Sequence, residues 1–136
     1  MDIIRRNTDY ALRLMVNLAM HFDGGFISSR VLSKEEDVSY QLSCKLLQKL
    51  SSVGLVKSTM GVNGGFSLSK PPSEINLSNV IDVIQGPLAI NRCVLSKDAC
   101  PHQETCPITG KLKVLQDYLT ESLSSITLAY LVESIK

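Results

Sequence analysis

The sequence lacks the features that mark a membrane, secreted or strongly basic protein. It has no tryptophan, and no apolar run reaches the length of about 18 residues that spanning a bilayer takes. Charged residues interrupt its first ten positions, where a secretory signal would need an apolar core. With 14 basic and 13 acidic residues, the net charge of +1 gives no overall attraction to nucleic acid. We therefore expect a cytoplasmic protein with no membrane partner, and any nucleic-acid site must be local.

Catalytic motifs are also missing. The sequence shows no Ser/His/Asp arrangement and no glycine-rich nucleotide loop, and it has a single group of closely spaced cysteines rather than two. The two histidines, His21 and His102, fall in unrelated segments. The sequence therefore predicts a protein that is not an enzyme and indicates no small-molecule substrate.

What is present is the composition of a small globular protein. The 136 residues are 44% hydrophobic and 20% charged, which suits one core with a small appendage. We expect three regions: 1–72, then a short helix and cysteine-bearing loop over 73–107, and the last helices over 108–136.

Apolar spacing predicts a mainly α fold with a small β-hairpin. A first helix over 7–22 would be capped by Asn7 or Thr8, and a short second helix by Ser28 or Ser29. A third helix over 39–53 would bury one face, formed by Leu42, Leu46, Leu50 and Val53. Strands over 55–59 and 65–69 follow, and this order is typical of a winged helix-turn-helix.

Three further helices are predicted after the hairpin, over 77–85, 108–123 and 127–134. The long one carries an apolar stripe made of Ile108, Leu112, Leu115, Leu119 and Leu123.

The polar face of the third helix is the candidate DNA-binding surface, because such a helix enters the major groove. Gln41 suits base edges and lysines suit phosphate, whereas the alternative is a face that is merely solvated. Gly61, Gly64 and Gly65 would let the wing tip approach the duplex. The predicted DNA-binding residues are Ser39, Tyr40, Gln41, Lys45, Lys49, Lys57, Asn63 and Gly64. Cys44 lies on the same face, as a partly exposed thiol or as a half-buried, inert one.

Three cysteines, Cys93, Cys100 and Cys106, fall within fourteen residues of a predicted loop. Thiolates are ligands for zinc or iron-sulfur clusters, and the wide spacing favours the larger cluster over zinc. His102 and Glu104 are local candidates for a fourth ligand. The alternatives are a reduced, inert loop or a thiol-disulfide switch.

Nearly the whole chain resembles the Rrf2 family of bacterial winged-helix regulators, with its IscR-like and NsrR-like branches. The matching segments are Thr8-Asp9-Tyr10-Ala11-Leu12-Arg13, Gly54-Leu55-Val56, Gly64-Gly65-Phe66, Lys70-Pro71, the three cysteines and residues 126–132. The resemblance implies a homodimer that is held by the dimerisation helix 108–123, so that the three regions form one intertwined domain. It also implies that 1–72 is the DNA-binding region, which binds double-stranded promoter DNA under the control of an iron-sulfur cluster.

The resemblance also bears on the fourth ligand. The IscR-like branch has a histidine three residues after the last cysteine, where this chain has Thr109. The NsrR-like branch uses an aspartate near the start of the first helix of the other subunit, and Asp9 matches that place. We therefore favour Asp9 over His102, although Asp9 could instead favour the helix dipole and lie on one face with Arg13.

Three thiolates and a weak oxygen ligand favour a [4Fe-4S] cluster over [2Fe-2S]. The cluster would sense redox state, nitric oxide or iron-sulfur status. One alternative is a cluster-free regulator that responds to thiol oxidation or to a partner. A less favoured alternative is an iron-sulfur electron carrier or enzyme.

Overall fold

The computed structural model describes residues 2–94, 101–102 and 104–135, and its described part is mainly helical. The helices are α1 (Arg6–Met20), α2 (Ser29–Glu35), α3 (Tyr40–Ser52), α4 (Leu77–Ile84), α5 (Pro107–Ser125) and α6 (Leu128–Ile135). The strands are β1 (Val56–Thr59) and β2 (Gly65–Leu68), which pair antiparallel. The predicted mainly α fold with a hairpin wing is confirmed.

One core joins the helix-turn-helix to the C-terminal part. α1 contacts α3, α4 and α6, and it buries Leu14 and Met15 completely. Burying one such side chain stabilises the fold by about 1.5 to 3 kcal/mol. The other large, fully buried members of this core are Leu18, Leu32, Leu46, Leu47, Leu50, Val56, Leu68, Ile75 and Leu128.

The predicted cap of α1 is wrong. The helix begins at Arg6 without a side-chain cap, while Asn7 lies within it and Thr8 is fully buried. The neighbouring N–H of Arg5 is instead held by Oε1 of Gln85, 2.9 Å away. The cap prediction failed because this partner comes from a residue 80 positions further along the chain.

Ser28 caps α2 as predicted, and Ser39, for which no cap was predicted, caps α3. Oγ of Ser28 accepts from the N–H of Val31 at 3.2 Å, and Oγ of Ser39 accepts from the N–H of Leu42 at 3.2 Å. Val53, predicted to face inward, is 53% exposed. It is the residue after the last turn of α3, and Leu47 completes the buried face instead.

The wing depends on glycine for its own packing. Ile27 and Phe66 exchange backbone hydrogen bonds of 2.9 and 2.8 Å beside the hairpin. Gly65 has φ +145°, and a Cβ there would overlap the carbonyl of Ile27. A Cβ on Gly64 would overlap the carbonyl of Thr59. The hairpin itself therefore requires both glycines, whatever the wing contacts.

The predicted apolar stripe of α5 divides into two faces. Leu112, Leu119 and Leu123 are half-buried, whereas Ile108 and Leu115 are exposed. The exposed pair continues into Val114 and Tyr118, which are also exposed. We call Ile108, Val114, Leu115 and Tyr118 the outer face of α5. No helix in the described ranges is long and apolar enough to cross a membrane.

Candidate nucleic-acid interface and cysteine segment

The predicted DNA-binding residues of α3 share one exposed surface. Ser39, which caps the helix, is exposed, as are Gln41, Lys45 and Lys49. The opposite side of the helix is buried against the core, with Ser43 and Leu46 inaccessible to solvent. Cys44 is half-buried at the boundary between the two sides. α3 thus presents two lysines and two glutamines, Gln41 and Gln48, to any partner.

A groove of about 650 Å³ separates α3 from the wing and from the start of α2. Tyr40 and Gly64 line it, as predicted members of the site, whereas Asn63 lines a separate depression beside Phe26. Lys57 is exposed, and its Nζ lies 5.9 Å from the centre of the Phe26 ring. The predicted residues therefore divide between the exposed face of α3, the groove and the outer side of the wing.

Arg30 is a basic residue of this groove that the sequence analysis missed. Its guanidinium lies 4.5 Å from the centre of the Tyr40 ring. Six hydroxyl residues also line the groove: Ser28, Ser29, Ser51, Ser52, Ser58 and Thr59. No local signal in the sequence marks Arg30, because its partner is a ring on the next helix.

Two of the three clustered cysteines lie in described residues. Cys93 is buried, 8% exposed, in a single 3-10 turn over Arg92–Val94 that packs against α5. Cys106 is half-buried and occupies the N-cap position of α5. Cys100 lies outside the described residues. The structure therefore brings two of the predicted ligands to the beginning and the side of one helix.

The start of α5 favours the thiolate form of Cys106. The backbone N–H of Thr109, then its hydroxyl and the N–H of Ile108, lower the pKa of the Cys106 thiol, against a small opposing effect of burial. Cys106 therefore occupies the N-cap position with its sulfur next to the first N–H groups of α5. Thr109 is itself buried, and its N–H and hydroxyl favour the Cys106 thiolate.

Two glutamine side chains each hold a short segment of backbone through two hydrogen bonds. Gln116 of α5 donates from Nε2 to the carbonyl of Leu88 at 2.7 Å and accepts from the N–H of Ile90 at 2.9 Å. Gln85 does the same for the N-terminal segment, donating to the carbonyl of Ile3 at 3.0 Å and accepting from Arg5. Each amide replaces the backbone partner that these segments would have in a sheet.

The candidate fourth ligands are all exposed. Asp9 lies in the first turn of α1, and His102 and Glu104 lie in the turn before α5. The guanidinium of Arg13 is engaged by the carbonyl of Glu36 and lies 5.1 Å from the Tyr10 ring centre. Arg13 thus has partners other than Asp9.

No three potential ligands converge among the residues that the structure describes, a set that omits Cys100. The donor types nevertheless fit an iron-sulfur cluster, because Cys93 and Cys106 offer soft sulfur and the protein favours one of them as thiolate.

Comparison with known proteins places the chain in a family. The family model described as "Rrf2: Iron-dependent Transcriptional regulator" matches residues 4–134. The structure is similar to T. potens IscR, with a TM-score of 0.78 and 25% identity over 98% of this chain and 88% of that one. It is also similar to CymR, the global cysteine regulator of B. subtilis, with a TM-score of 0.82 and 27% identity over 98% of both chains.

Staphylococcus aureus CymR is a third similar structure, with a TM-score of 0.72 and 29% identity over 95% of this chain and 97% of that one. Rrf2 regulators bind promoter DNA, are typically dimeric and are not enzymes. The fold and these matches agree over nearly the whole chain, which therefore belongs to the Rrf2 family of winged-helix transcriptional regulators.

Proposed function

We propose that this chain regulates transcription as a homodimer that reads promoter DNA with α3 and the wing. The observation that carries the proposal is the exposed face of α3, which presents Gln41, Lys45 and Lys49. Gln41 would hydrogen-bond base edges, and the lysines would neutralise phosphates. Ser39, Tyr40, Lys57, Asn63 and Gly64 complete the proposed interface.

The outer face of α5 supports the homodimer. Leu115 and Tyr118 are 54% and 73% exposed. Large apolar side chains that form an exposed patch usually mark an interface. Twofold pairing of α5 would place two copies of α3 about 34 Å apart, one turn of DNA. The regions 1–72, 73–107 and 108–136 of the two chains would then form one intertwined unit.

We further propose that Cys93, Cys100 and Cys106 hold an iron-sulfur cluster, [4Fe-4S] in preference to [2Fe-2S]. The partner subunit's Asp9 would be the fourth ligand, with His102 as the alternative. Asp9 is exposed in the first turn of α1, which leaves its carboxylate accessible to another chain. When bound, such a cluster supplies an iron that reacts with oxidants or nitric oxide.

The chain's own residues link this site to DNA. Cys106 begins α5, Cys93 packs against α5, and the outer face of α5 is the proposed dimer contact. A change at the cysteines therefore acts on the helix that sets the separation of the two α3 helices. DNA affinity would follow that separation.

A cluster-free regulator is the second candidate. The similarity to the global cysteine regulator CymR, at 27% identity, favours it. In that case the same cysteines would respond to oxidation or to a partner protein.

Anaerobic DNA binding with and without the cluster tests the proposal. A duplex would first be selected from a random-sequence pool, and its affinity measured at fixed salt for reconstituted and apo protein, because phosphate contacts depend on salt. We expect different affinities in the two states, and iron and sulfide contents that fall in Cys93→Ala, Cys100→Ala and Cys106→Ala. Cys44→Ala is the matched control that should keep its iron.

The outcomes separate the two candidates. Equal affinity of the reconstituted and apo forms would refute cluster control, and a colourless protein without iron or sulfide would leave the cluster-free regulator. Gln41→Ala should reduce the preference for the selected duplex over a scrambled one. Retention of that preference would argue against α3 as the reading helix.

A further inference from the structure

The groove between α2, α3 and the wing contains a cation that is held in place before any ligand binds. Arg30 is exposed, yet its guanidinium lies 4.5 Å from the centre of the Tyr40 ring. Stacking of this kind orients a planar guanidinium and reduces the conformational freedom that binding would remove. The side chain is therefore prepared to bind an anion inside the groove.

The backbone at Arg30 is also fixed. Its carbonyl accepts a hydrogen bond of 2.9 Å from Oγ of Ser33, a buried residue of the same helix. Tyr40 is the first residue of α3, directly after its Ser39 cap. The Arg30–Tyr40 pair therefore joins the start of α2 to the start of α3.

Hydroxyl groups are the commonest polar groups in the rest of the groove, beside the amide of Gln48. Its lining includes serine hydroxyls from α3 and the hydroxyls of Ser58 and Thr59 from the wing, and no acidic residue in the described part of the chain contributes to it. Hydroxyls and arginine are common donors to phosphate oxygens, and such contacts position a protein without reading sequence.

We propose that Arg30, held by Tyr40, binds a phosphate of the DNA backbone where the strand passes between α3 and the wing. The proposal rests on the proposed DNA-binding function and adds a residue to it. Arg30 sets the position of the duplex, whereas Gln41 on the exposed face reads bases. Tyr40 acts mainly as the support of the guanidinium.

The test is the salt dependence of DNA binding by Arg30→Ala, Arg30→Lys and Tyr40→Leu. Removing one phosphate contact should make the plot of log affinity against log salt less steep by about 0.9, and weaken selected and scrambled duplexes alike by about tenfold. Arg30→Lys should retain the slope and lose part of the affinity, because lysine lacks the stacked plane. Tyr40→Leu should weaken binding in the same sequence-independent way.

Lys113→Ala is the matched control, since it removes one exposed charge from α5 and should leave the slope unchanged. An Arg30→Ala protein with unchanged slope and affinity would overturn the inference, even if Gln41→Ala lost its sequence preference as expected. If the unaltered protein preferred no duplex, the proposed function itself would fail. Thermal unfolding of each variant shows whether a loss reflects misfolding, and Arg30→Lys keeps the test valid in that event.

Discussion

Gln116 holds Ile90 by accepting its backbone N–H at 2.9 Å, from a position in the middle of α5. The same amide donates to the carbonyl of Leu88. Residues 88–90 lead directly into the turn that carries Cys93, so one side chain ties the approach to the cysteine segment to the long helix. Residues 88–90 have no strand partner in the described chain, and Gln116 fixes their position against α5 instead.

Replacing Gln116 with alanine should loosen this segment. Three hydrogen bonds would be lost, to Leu88, Ile90 and Thr120, and we expect the free energy of unfolding to fall by about 1 to 3 kcal/mol. Chemical denaturation measures this change, and hydrogen exchange at the Ile90 N–H should accelerate selectively. Lys113→Ala on the same helix is the control, and equal behaviour of the two variants would contradict the assigned role.

Replacing Leu115 with lysine should disrupt the homodimer. The substitution puts a charge at the centre of the outer face of α5, where pairing of two copies would bury it without a counter-charge. Sedimentation or light scattering should change from twice the chain mass of 14.9 kDa toward a single chain. Lys113→Glu, outside that face, should stay dimeric, and a dimeric Leu115→Lys protein would place the interface elsewhere.

Cys106 in the apo protein should react with iodoacetamide at lower pH than an ordinary cysteine. The donors at the start of α5 lower its pKa, so the thiolate persists as pH falls through the range where a free thiol is protonated. Peptide mapping of the labelling rate against pH gives the midpoint. Thr109→Val should move that midpoint upward, whereas Thr120→Val, further along the helix, should not; no movement in Thr109→Val would remove the hydroxyl from the explanation.

Gly65→Ala should destabilise the wing. The backbone has φ +145°, and the added methyl group would overlap the carbonyl of Ile27. Strain of this kind costs on the order of 1 to 3 kcal/mol per residue, and the overlap adds to it. Thermal unfolding of Gly65→Ala against Gly24→Ala, where a Cβ would meet nothing within 4 Å, isolates the effect. Equal stability of the two variants would show that the Ile27–Phe66 pairing is dispensable.

The helices and the hairpin could be predicted because local signals dominate there. Ser28 and Ser39 cap the helices that follow them, and the inward positions of α1 recur at helical spacing. The capping of α1 could not be predicted, because the N–H of Arg5 at its start binds Gln85 from across the fold. The division of the α5 stripe was equally hidden, since the spacing of Ile108 and Leu112 does not say which of the two meets the core.

The candidate site follows the same rule. The exposed residues of α3 could be predicted from helical phase and from their place in the motif. Arg30 could not, because its significance comes from a ring contact between two helices rather than from its own surroundings in the chain. The glycines of the wing were found, but the need for them lies in the backbone of Ile27 and Thr59, which only the folded hairpin brings close.

The position of Cys106 at the first boundary of α5 has a mechanical consequence. A helix of 19 residues is about 28 Å long, so tilting it by roughly 5° about its first turn would displace its far end by about 2.5 Å. That far end touches α4, where the hydroxyls of Ser78 and Ser124 lie 3.2 Å apart. A small rotation of α5 at the end that begins with Cys106 would therefore be enough to break the hydrogen bond between Ser78 and Ser124 at the other end.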